Sequence, residues 1–387
     1  MTLWYNHPAM RSSAKAPHVA LNAHLLSGRA SYRSAGIHHY IDHLIQHLDT
    51  AAEEMRFTAL VGAAAGLPDA GMPAMRAKWD TSTPWRRTIW EQARLPLVAR
   101  QIEADLIHAP AFVGPLASAV PMVTTIHDLS FIRFPHLFRP ANRLYLKTMT
   151  WLSARRSRQL IAVSEHTALE TRQLLSVAPE KITVVYHGVD ARFQPLPANQ
   201  VTTFREHRRL PERFVLFVGT LEPRKNLIRL VEAFKLADPG ETKLMLVGGK
   251  GWLYEDLFAR VDELGLGETV RFPGYVPNDE LVLWYNAATV FAYPSLYEGF
   301  GMPVTEAQAC GTPVLASSTT SLPEAAGEAA LLVDPEDVDA IAGGLRRLLD
   351  DEELRRELSD RGREHADAFG WTRTARRTAE VYRDAVA

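Results

Sequence analysis

The chain alternates between short apolar runs and stretches whose apolar residues recur at helical spacing, in two successive arrays. The first array starts with the apolar run His18–Leu26, followed by the amphipathic stretch Ile37–Leu48. After the polar, proline-containing stretch Pro195–Pro211, the alternation restarts with Phe214–Gly219. Strands that alternate with helices form parallel sheets covered by helices on both faces. The pattern therefore predicts an α/β protein with two such domains and a ligand cleft between them.

The 387 residues are enough for two domains, each with its own core. We expect a flexible tail at residues 1–17, a first domain at 18–195, a linker at 196–211 and a second domain at 212–370. Residues 371–387 follow a completed domain and have apolar side chains on one side of a predicted helix. This last helix is therefore expected to cross back onto the first domain.

Two segments of the first domain have less regular patterns. Residues 62–83 are rich in Ala, Gly and Pro, which predicts a long surface loop. Trp85–Gln101 mixes aromatic and aliphatic residues with arginines, and this pattern fits either an amphipathic helix lying on a membrane or an ordinary surface helix. Pro96 is expected to break this helix.

The net charge of −2 is unevenly distributed along the chain. Residues 1–195 contain 21 Lys and Arg against 14 Asp and Glu, whereas the remainder contains 22 against 31. A basic first domain suits an anionic surface such as lipid headgroups or a lipid-phosphate acceptor, although ordinary solvated charge explains the same counts. Nothing in the sequence resembles a nucleic-acid-binding signature.

The cysteine content and the N-terminus bear on localisation. The single cysteine, Cys310, excludes an internal disulfide and fits a reducing compartment. The N-terminus lacks the pattern of a secretory signal. We therefore expect a cytoplasmic protein, with peripheral contact to the inner face of a membrane if the basic domain binds lipid.

The stretch Tyr293–Cys310, YPSLYEGFGMPVTEAQAC, combines an apolar run, a glycine loop and the start of a helix. Gly299 and Gly301 lack a Cβ, so a ligand can approach the backbone closely. The free N–H groups and the positive dipole end of a helix start suit a phosphate. Glu298 and Glu306 bracket the loop and suit sugar hydroxyls. The stretch predicts a site for a sugar diphosphate, with an ordinary strand–helix turn as the alternative.

A second polar cluster, GTLEPRKN at Gly219–Asn226, lies between a predicted strand and a predicted helix. Arg224 and Lys225 stand at the helix start, where cations oppose the helix dipole at a cost of roughly 0.3–1 kcal/mol each. A bound diphosphate would offset that cost, because a charge-assisted hydrogen bond contributes roughly 1.5–3 kcal/mol. We therefore favour a phosphate site over two solvated cations on a turn.

Histidines stand at functionally suggestive positions in the first domain. His127 directly follows a predicted strand, and side chains at the carboxyl ends of parallel strands face the ligand crevice. It is a candidate to donate a hydrogen bond to a sugar hydroxyl or a developing charge, with a histidine bonded only to local backbone as the alternative. His39 and His43 are four residues apart, but no carboxylate pattern completes a metal site, so no metal is expected.

Taken together, these motifs resemble glycosyltransferase family 4, whose members have the GT-B fold, and GTLEPRKN resembles its mannosyltransferase-like group. The resemblance runs from His18 to the end of the chain. It is carried by GTLEPRKN, the E-x7-E element from Glu298 to Glu306, VSEHT at Val163–Thr167 and the HGVD that begins at His187. It implies two Rossmann-like domains facing across a cleft, with the nucleotide sugar held by the second domain and the acceptor by the first.

The resemblance also implies which residues form the site. Four residues would act at the reaction centre, namely Glu298, His127, Arg224 and Lys225. Ten residues would contact the donor, namely Gly36, Gly219, Tyr275, Val276, Phe300, Gly301, Met302, Val304, Thr305 and Glu306.

Different motifs would contact different parts of the donor. Glu298 would bond sugar hydroxyls near the anomeric carbon, and the backbone of Phe300–Met302 would bond the far hydroxyls. The N–H groups of Val304 and Thr305 would meet the diphosphate, and Glu306 would bond the ribose.

The remaining implied contacts come from the other motifs. Arg224 and Lys225 would neutralise the leaving diphosphate, His127 would face the reacting sugar, and Tyr275–Val276 would lie near the base. Gly36 would approach the phosphates, although its loop reads SAGIHH instead of a double glycine. In a second departure, Thr220 stands where many members have an arginine, so Arg224 is expected to carry more of the charge neutralisation.

The activity implied by the resemblance is transfer of a hexose, with retention of anomeric configuration, from a nucleotide sugar to a glycan or lipid-linked acceptor in cell-surface polysaccharide or glycoconjugate synthesis. GDP-mannose is the favoured donor, and neither cofactor nor metal is implied. We expect front-face attack, with the donor phosphate taking the acceptor proton. A UDP- or ADP-sugar-dependent glucosyl or N-acetylglucosaminyl transferase, a nucleotide-sugar isomerase and a non-catalytic nucleotide-sugar binder remain alternatives.

Overall fold

The computed structural model describes residues 16–26, 35–63, 65–66, 71–78, 81, 83–251 and 254–387. In these residues the chain forms two parallel sheets with helices packed against them. The predicted tail at residues 1–17 lies outside the described residues except for Ala16 and Pro17. Most of the loop before Gly36 lies outside them as well.

The first sheet has seven parallel strands in the order β3-β2-β1-β4-β5-β6-β7. These strands are β1 (His18–Asn22), β2 (Arg56–Val61), β3 (Ala74–Arg76), β4 (Leu106–Ala109), β5 (Met122–Ile126), β6 (Gln159–Ala162) and β7 (Ile182–Val184). The central strands β1, β4 and β5 are buried along their whole length, as expected for strands covered on both faces.

Six helices belong to the first half of the chain: α1 (Ala35–Ala51), α2 (Pro84–Ile89), α3 (Leu95–Gln101), α4 (Ser130–Arg133), α5 (Pro140–Arg156) and α6 (Glu165–Leu175). Helix α1 buries Tyr40, Ile41, Leu44 and Leu48, which is the face that the apolar spacing predicted. Helix α6 begins after Ser164, whose hydroxyl oxygen accepts a hydrogen bond from the N–H group of Thr167 in the first turn of the helix.

The second sheet has six parallel strands in the order β10-β9-β8-β11-β12-β13. These are β8 (Phe214–Val218), β9 (Lys243–Val247), β10 (Val270–Gly274), β11 (Val290–Tyr293), β12 (Val314–Ser317) and β13 (Leu331–Val333). Its helices are α7 (Ala198–Arg208), α8 (Leu227–Leu236), α9 (Glu255–Glu263), α10 (Asn278–Ala287), α11 (Met302–Ala309), α12 (Leu322–Ala326), α13 (Val338–Asp350) and α14 (Glu352–Ala366).

The last helix, α15 (Trp371–Val386), packs on the first sheet although it follows the second domain in the chain. Trp371, Ala375 and Tyr382 share one core with α1 and β1. The hydroxyl group of Tyr382 also hydrogen-bonds to Nδ1 of the buried His108 at 2.7 Å. The predicted crossover of the C-terminal helix is confirmed.

The segment predicted as a linker, 196–211, contains helix α7, which the sequence analysis did not anticipate. Phe204 packs edge-on against Trp284, and Arg205 donates a hydrogen bond to the carbonyl oxygen of Ala287 at 2.5 Å. The helix therefore packs on α10 of the second domain. Its sequence is mostly polar, with Phe204 as its only buried residue, so its apolar stripe is too narrow to be recognised from periodicity.

Two local predictions in the first domain are wrong. Residues 62–83 include a strand, β3, which pairs with β2 at the edge of the sheet. The stretch Trp85–Gln101 does not break at Pro96, because α2 continues through a π-helical turn at Trp90–Arg94 into α3. Pro96 lies just after this π-helical turn, in which the Leu95 N–H group donates to the Trp90 carbonyl oxygen five residues back. Within the described part of the chain, no helix is both long enough and apolar enough to cross a bilayer.

Candidate functional site

A cleft of about 1290 Å³ lies between the two domains. It lies where strands of both sheets end, since His127 follows β5, Gly219 follows β8 and the loop after β11 carries Glu298. Ten of the fourteen predicted site residues line it: Glu298, His127, Arg224, Lys225, Gly36, Gly219, Phe300, Gly301, Met302 and Glu306. The carboxyl ends of parallel strands are where ligands bind in such sheets.

The centre of the cleft is a buried cluster of one carboxylate and two cations. Glu298 accepts a hydrogen bond from Lys225 Nζ at 2.6 Å on one oxygen and from Arg224 Nη1 at 2.9 Å on the other. Lys225 Nζ also bonds to the hydroxyl group of Tyr293 at 2.6 Å. All three charged side chains are largely shielded from solvent. The sequence motifs around residues 224 and 298 therefore meet in one site.

The charge states of this cluster follow from its geometry. Burial alone would raise the pKa of Glu298, but the Arg224 and Lys225 charges outweigh burial and hold that pKa at about 2. Burial lowers the pKa of Lys225, and the charge of Glu298 partly restores it. Glu298 is thus a carboxylate at neutral pH, and a carboxylate this acidic is a poor base and a poor nucleophile.

The structure corrects one premise of the sequence analysis. From the sequence, a bound diphosphate is the expected reason for Arg224 and Lys225 to stand at a helix start, where cations oppose the helix dipole. The structure provides a reason within the protein, because Glu298 pairs with both cations and Glu222 accepts two further hydrogen bonds from Arg224 at 2.8 and 3.2 Å. The sequence analysis assigned no role to Glu222, although its position two residues before Arg224 in GTLEPRKN was the available signal.

The glycine loop leads into helix α11 as predicted. Gly301 has a φ of 110°, which glycine adopts without strain, and α11 starts at the next residue, Met302. Across the cleft, a Cβ placed on Gly36 would lie 3.3 Å from Met302 Cε, so the first domain approaches the helix start closely. The Val304 N–H group already donates to the Gly301 carbonyl oxygen at 2.9 Å. A phosphate contact by Val304 therefore needs a bifurcated hydrogen bond.

His127 lies in the cleft, but its bonding differs from the expectation. Its Nε2 lies 2.7 Å from the carbonyl oxygen of Pro110, which can only accept, so Nε2 carries the proton. Burial lowers the pKa of His127 to about 4, so the ring is neutral at pH 7 and Nδ1 is unprotonated. In this state Nδ1 can accept a hydrogen bond from a hydroxyl group, whereas the only N–H group of the ring already donates to Pro110. The ring also stacks on the ring of His187, with 5.4 Å between the two ring centroids.

The two domains touch directly at the glycine loop. A Cβ placed on Gly299 would lie 1.7 Å from the carbonyl oxygen of His127, so only glycine permits this approach. The hydroxyl group of Thr167 donates to the Gly299 carbonyl oxygen at 3.0 Å, and the Leu129 N–H group donates to the hydroxyl oxygen of Tyr297 at 2.9 Å. The loop that carries Glu298 is therefore fixed by the first domain as well as by the second.

Four predicted donor-binding residues do not line the cleft. Tyr275 follows the edge strand β10 and is about half exposed, whereas Val276 is buried in the core of the second domain. Val304 and Thr305 are buried inside α11, and the Thr305 hydroxyl donates to the Met302 carbonyl oxygen at 2.9 Å. Their predicted donor contacts stay predictions. In the described part of the chain, no group of three or more His, Cys, Asp and Glu side chains is placed to hold a metal ion.

Glu306 faces the cleft and accepts a hydrogen bond from Tyr285, a residue that the sequence analysis missed. The Tyr285 hydroxyl donates to Glu306 Oε2 at 2.9 Å. Burial raises the pKa of Glu306 from 4.5 to about 7, although the hydrogen bond from Tyr285 works against this rise. A ribose contact through Glu306 would therefore exploit a carboxyl group that ionises near neutral pH.

This raised pKa predicts a specific dependence of stability on pH. The folded state holds the Glu306 proton more tightly than the unfolded state does, so the free energy of unfolding falls as pH rises from about 4.5 through about 7. We expect Glu306→Gln to remove this fall, so that the variant gains stability relative to the wild type between about pH 5 and about pH 8. Tyr285→Phe removes the opposing hydrogen bond and should steepen the fall. Urea unfolding across this range measures both effects, and parallel curves for wild type and Glu306→Gln would contradict the assignment.

Two family models match the chain, one in each domain. The model "Glycosyltransferase Family 4" matches residues 35–193, and the model "Glycosyl transferases group 1" matches residues 200–365. The two matches meet at the segment that joins the sheets.

Relatives and solved structures agree with these matches. The O-antigen chain mannosyltransferase B of Escherichia coli is 34% identical over 73% of this chain and 75% of its own length. The MMP alpha-(1->4)-mannosyltransferase of Mycolicibacterium hassiacum is 32% identical over 80% of this chain and 77% of its own length. The fold is similar to that of sucrose-phosphate synthase from Thermosynechococcus elongatus, with a TM-score of 0.74 at 23% identity over 95% of this chain and 98% of that one. The predicted GT-B fold and transferase activity are confirmed, and the chain belongs to glycosyltransferase family 4.

Proposed function

We propose that this protein transfers mannose from GDP-mannose, with retention of anomeric configuration, to a hydroxyl group of a glycan or lipid-linked acceptor in cell-surface polysaccharide or glycoconjugate synthesis. The observation that carries the proposal is the cluster of Glu298, Arg224 and Lys225 in the interdomain cleft. It presents two cations for a departing diphosphate and one ionised carboxylate for sugar hydroxyls, next to a helix start. The similarity to mannosyltransferases supports mannose, and the resemblance to their group implies GDP as the nucleotide.

In the proposed reaction, the bond between the anomeric carbon and the β-phosphate oxygen breaks, and its electron pair leaves with GDP. The acceptor oxygen bonds to the same face of the anomeric carbon, and the acceptor proton passes to the departing phosphate oxygen. Arg224 and Lys225 exchange part of their contact with Glu298 for contact with the diphosphate, whose growing charge they stabilise. Glu298 orients the sugar hydroxyls, and Nδ1 of His127 accepts a hydrogen bond from one of them. Since Glu298 is held by two cations and has a low pKa, it is not assigned as a covalent nucleophile.

We also propose that turnover does not require a metal ion, because Arg224 and Lys225 supply the positive charge that the leaving group needs. The Arg224 pKa is raised by Glu298 and Glu222 despite its burial, so the guanidinium stays charged at every working pH. EDTA is therefore expected to leave the rate unchanged.

A donor panel tests the proposal. GDP-mannose, UDP-glucose, UDP-N-acetylglucosamine and ADP-glucose are supplied separately, and nucleoside diphosphate release and the anomeric configuration of the product are measured. We expect the fastest release from GDP-mannose and an α-linked product. If nucleoside diphosphate is released fastest from a UDP- or ADP-sugar, that compound is the donor instead of GDP-mannose. Conversion of the sugar without release of nucleoside diphosphate would indicate an isomerase. A mannosyl adduct on Glu298 by mass spectrometry would overturn front-face attack.

A further inference from the structure

Asp128 is a charged residue of the cleft that has no role in the reaction proposed above. It lies just beyond the carboxyl end of β5 and lines the interdomain cleft. A Cβ placed on Gly299 would lie 3.1 Å from Asp128 Cβ, so Asp128 adjoins the loop that carries Glu298. Burial lowers the pKa of Arg224, whereas nearby carboxylates raise it, and Asp128 is one of them. Asp128 therefore lies beside the reaction centre, on the side of the first domain.

The Asp128 carboxylate is held in one orientation. Its Oδ1 accepts hydrogen bonds from the N–H group of Ser130 at 2.9 Å and from the Ser130 hydroxyl group at 2.6 Å. Among the residues that the structure describes, none donates a hydrogen bond to Oδ2, and no Lys, Arg or His nitrogen lies within 4.0 Å of the carboxylate. Both oxygens of a carboxylate are strong acceptors. Oδ2 is therefore left to accept hydrogen bonds from a molecule in the cleft.

The charge of Asp128 decides which kind of group it suits. A phosphate group at Oδ2 would be repelled by the carboxylate, and the other cations at this end of the cleft, His136 and Arg139, are exposed and lie more than 4.0 Å from it. A hydroxyl group carries no charge and donates a hydrogen bond to a carboxylate. The diphosphate of the donor is expected beside Arg224 and Lys225, so Asp128 suits the acceptor.

An aromatic residue with an unusual backbone conformation lies at the same end of the cleft. Phe112 lines the cleft and has a φ of 57°, a left-handed value that bulky residues rarely adopt. Its ring packs edge-on against the ring of His127, with 5.7 Å between the centroids. Residues held in such conformations cluster at functional sites. A flat apolar ring beside a carboxylate matches a sugar, which has apolar C–H faces and a rim of hydroxyl groups.

We propose that Asp128 and Phe112 form the acceptor subsite, in which Phe112 packs on the ring of a neutral sugar and Asp128 Oδ2 accepts a hydrogen bond from a hydroxyl group next to the attacking one. The acceptor is then the uncharged sugar end of a glycan, and a phosphate oxygen is excluded as the attacking atom. Asp128 takes no proton, since the proton of the attacking hydroxyl group passes to the departing phosphate oxygen. The inference rests on the proposed function and deepens it by naming the class of acceptor.

The test compares transfer with donor hydrolysis in the full-length protein. The donor found in the panel is supplied alone, with methyl α-D-mannopyranoside or with butyl phosphate, and the transfer product and the free sugar are measured separately. We expect the wild type to transfer to the sugar and not to butyl phosphate. Asp128→Asn keeps the shape of the side chain and an oxygen for Ser130, but it replaces Oδ2 by an amide NH₂ group. It should lower the ratio of transfer to hydrolysis by about 10- to 100-fold, the contribution of a hydrogen bond to a charged group. A loss of folded protein cancels in this ratio.

Asp334→Asn is the matched control. Asp334 Oδ1 also accepts a hydrogen bond from the N–H group two residues ahead, that of Glu336, at 2.8 Å, but Asp334 is exposed and lies outside the cleft. This variant should keep the wild-type ratio of transfer to hydrolysis. Phe112→Leu keeps an apolar side chain at the same backbone conformation but removes the flat ring, so it should raise KM for methyl α-D-mannopyranoside.

The possible failures are distinguishable. An unchanged ratio in Asp128→Asn, faster transfer to butyl phosphate than to the sugar, or donor hydrolysis without transfer to the sugar would each overturn the subsite and leave the donor assignment intact. An unchanged KM in Phe112→Leu would remove Phe112 from the subsite. If the wild type released nucleoside diphosphate from none of the donors, the proposed function would be overturned and the acceptor subsite with it.

Discussion

Lys225→Met is expected to lower kcat by about 10²- to 10³-fold in a protein that remains folded, because a preorganised charge aimed at the leaving group contributes on that scale. The methionine keeps the apolar stem but removes the ammonium group that bonds Glu298 at 2.6 Å. KM for the donor should change less, since the charge on the diphosphate grows in the transition state. Steady-state kinetics with the donor found in the panel gives both constants.

A loss of activity must be separated from a loss of folding, because removing one partner of a buried ion pair costs up to about 3–5 kcal/mol. Arg224 still pairs with Glu298 in Lys225→Met, so the cost should lie below that range. In Lys225→Met/Glu298→Gln the carboxylate that lost its lysine partner is also removed. The free energy of unfolding should therefore rise relative to Lys225→Met, while kcat stays low. Lys235→Met, at an exposed lysine of α8, should change kcat negligibly and stability by less than about 0.5 kcal/mol. Near-normal kcat in folded Lys225→Met would remove the site assignment.

The alternation of strands and helices allowed most of the fold to be predicted. Periodicity identifies elements whose buried face is wide, such as α1 with Tyr40, Ile41, Leu44 and Leu48. It missed α7, which buries one side chain, and it missed β3, whose three residues are all exposed. Such elements are held by contacts with distant parts of the chain, which local spacing does not encode.

The site could be predicted as a set of residues but not as a network. Their spacing and the family resemblance predicted that Glu298, Arg224 and Lys225 line one cleft, and in the structure they do. Their mutual pairing joins residues more than 70 positions apart in the chain, so nothing local signalled it. The hydrogen bond from Tyr285 to Glu306 could not be predicted for a different reason. A tyrosine at an apolar position of an amphipathic helix has the sequence pattern of a core residue.

Gly299→Ala is expected to reduce kcat/KM by about 10²-fold, because a displacement of about 1 Å at a reaction centre costs that much. The added Cβ would lie 1.7 Å from the carbonyl oxygen of His127 and 3.1 Å from Asp128 Cβ. Neither contact is with the end of a flexible side chain, so backbone must move. The two domains would separate at this point, carrying Glu298 away from His127. Overpacking of this kind also lowers the free energy of unfolding by about 1–3 kcal/mol.

Gly343→Ala is the matched control, since Gly343 lies within α13 and a Cβ placed there would meet nothing within 4 Å. It should leave kinetics unchanged and stabilise the protein by about 0.5–1 kcal/mol, because alanine is the better helix former. Kinetics and urea unfolding of both variants test the contrast. If Gly299→Ala retained wild-type kcat/KM, the contact between the glycine loop and His127 would not be needed for turnover. The reaction centre would then have to be assembled by the second domain alone, which would exclude His127 from it.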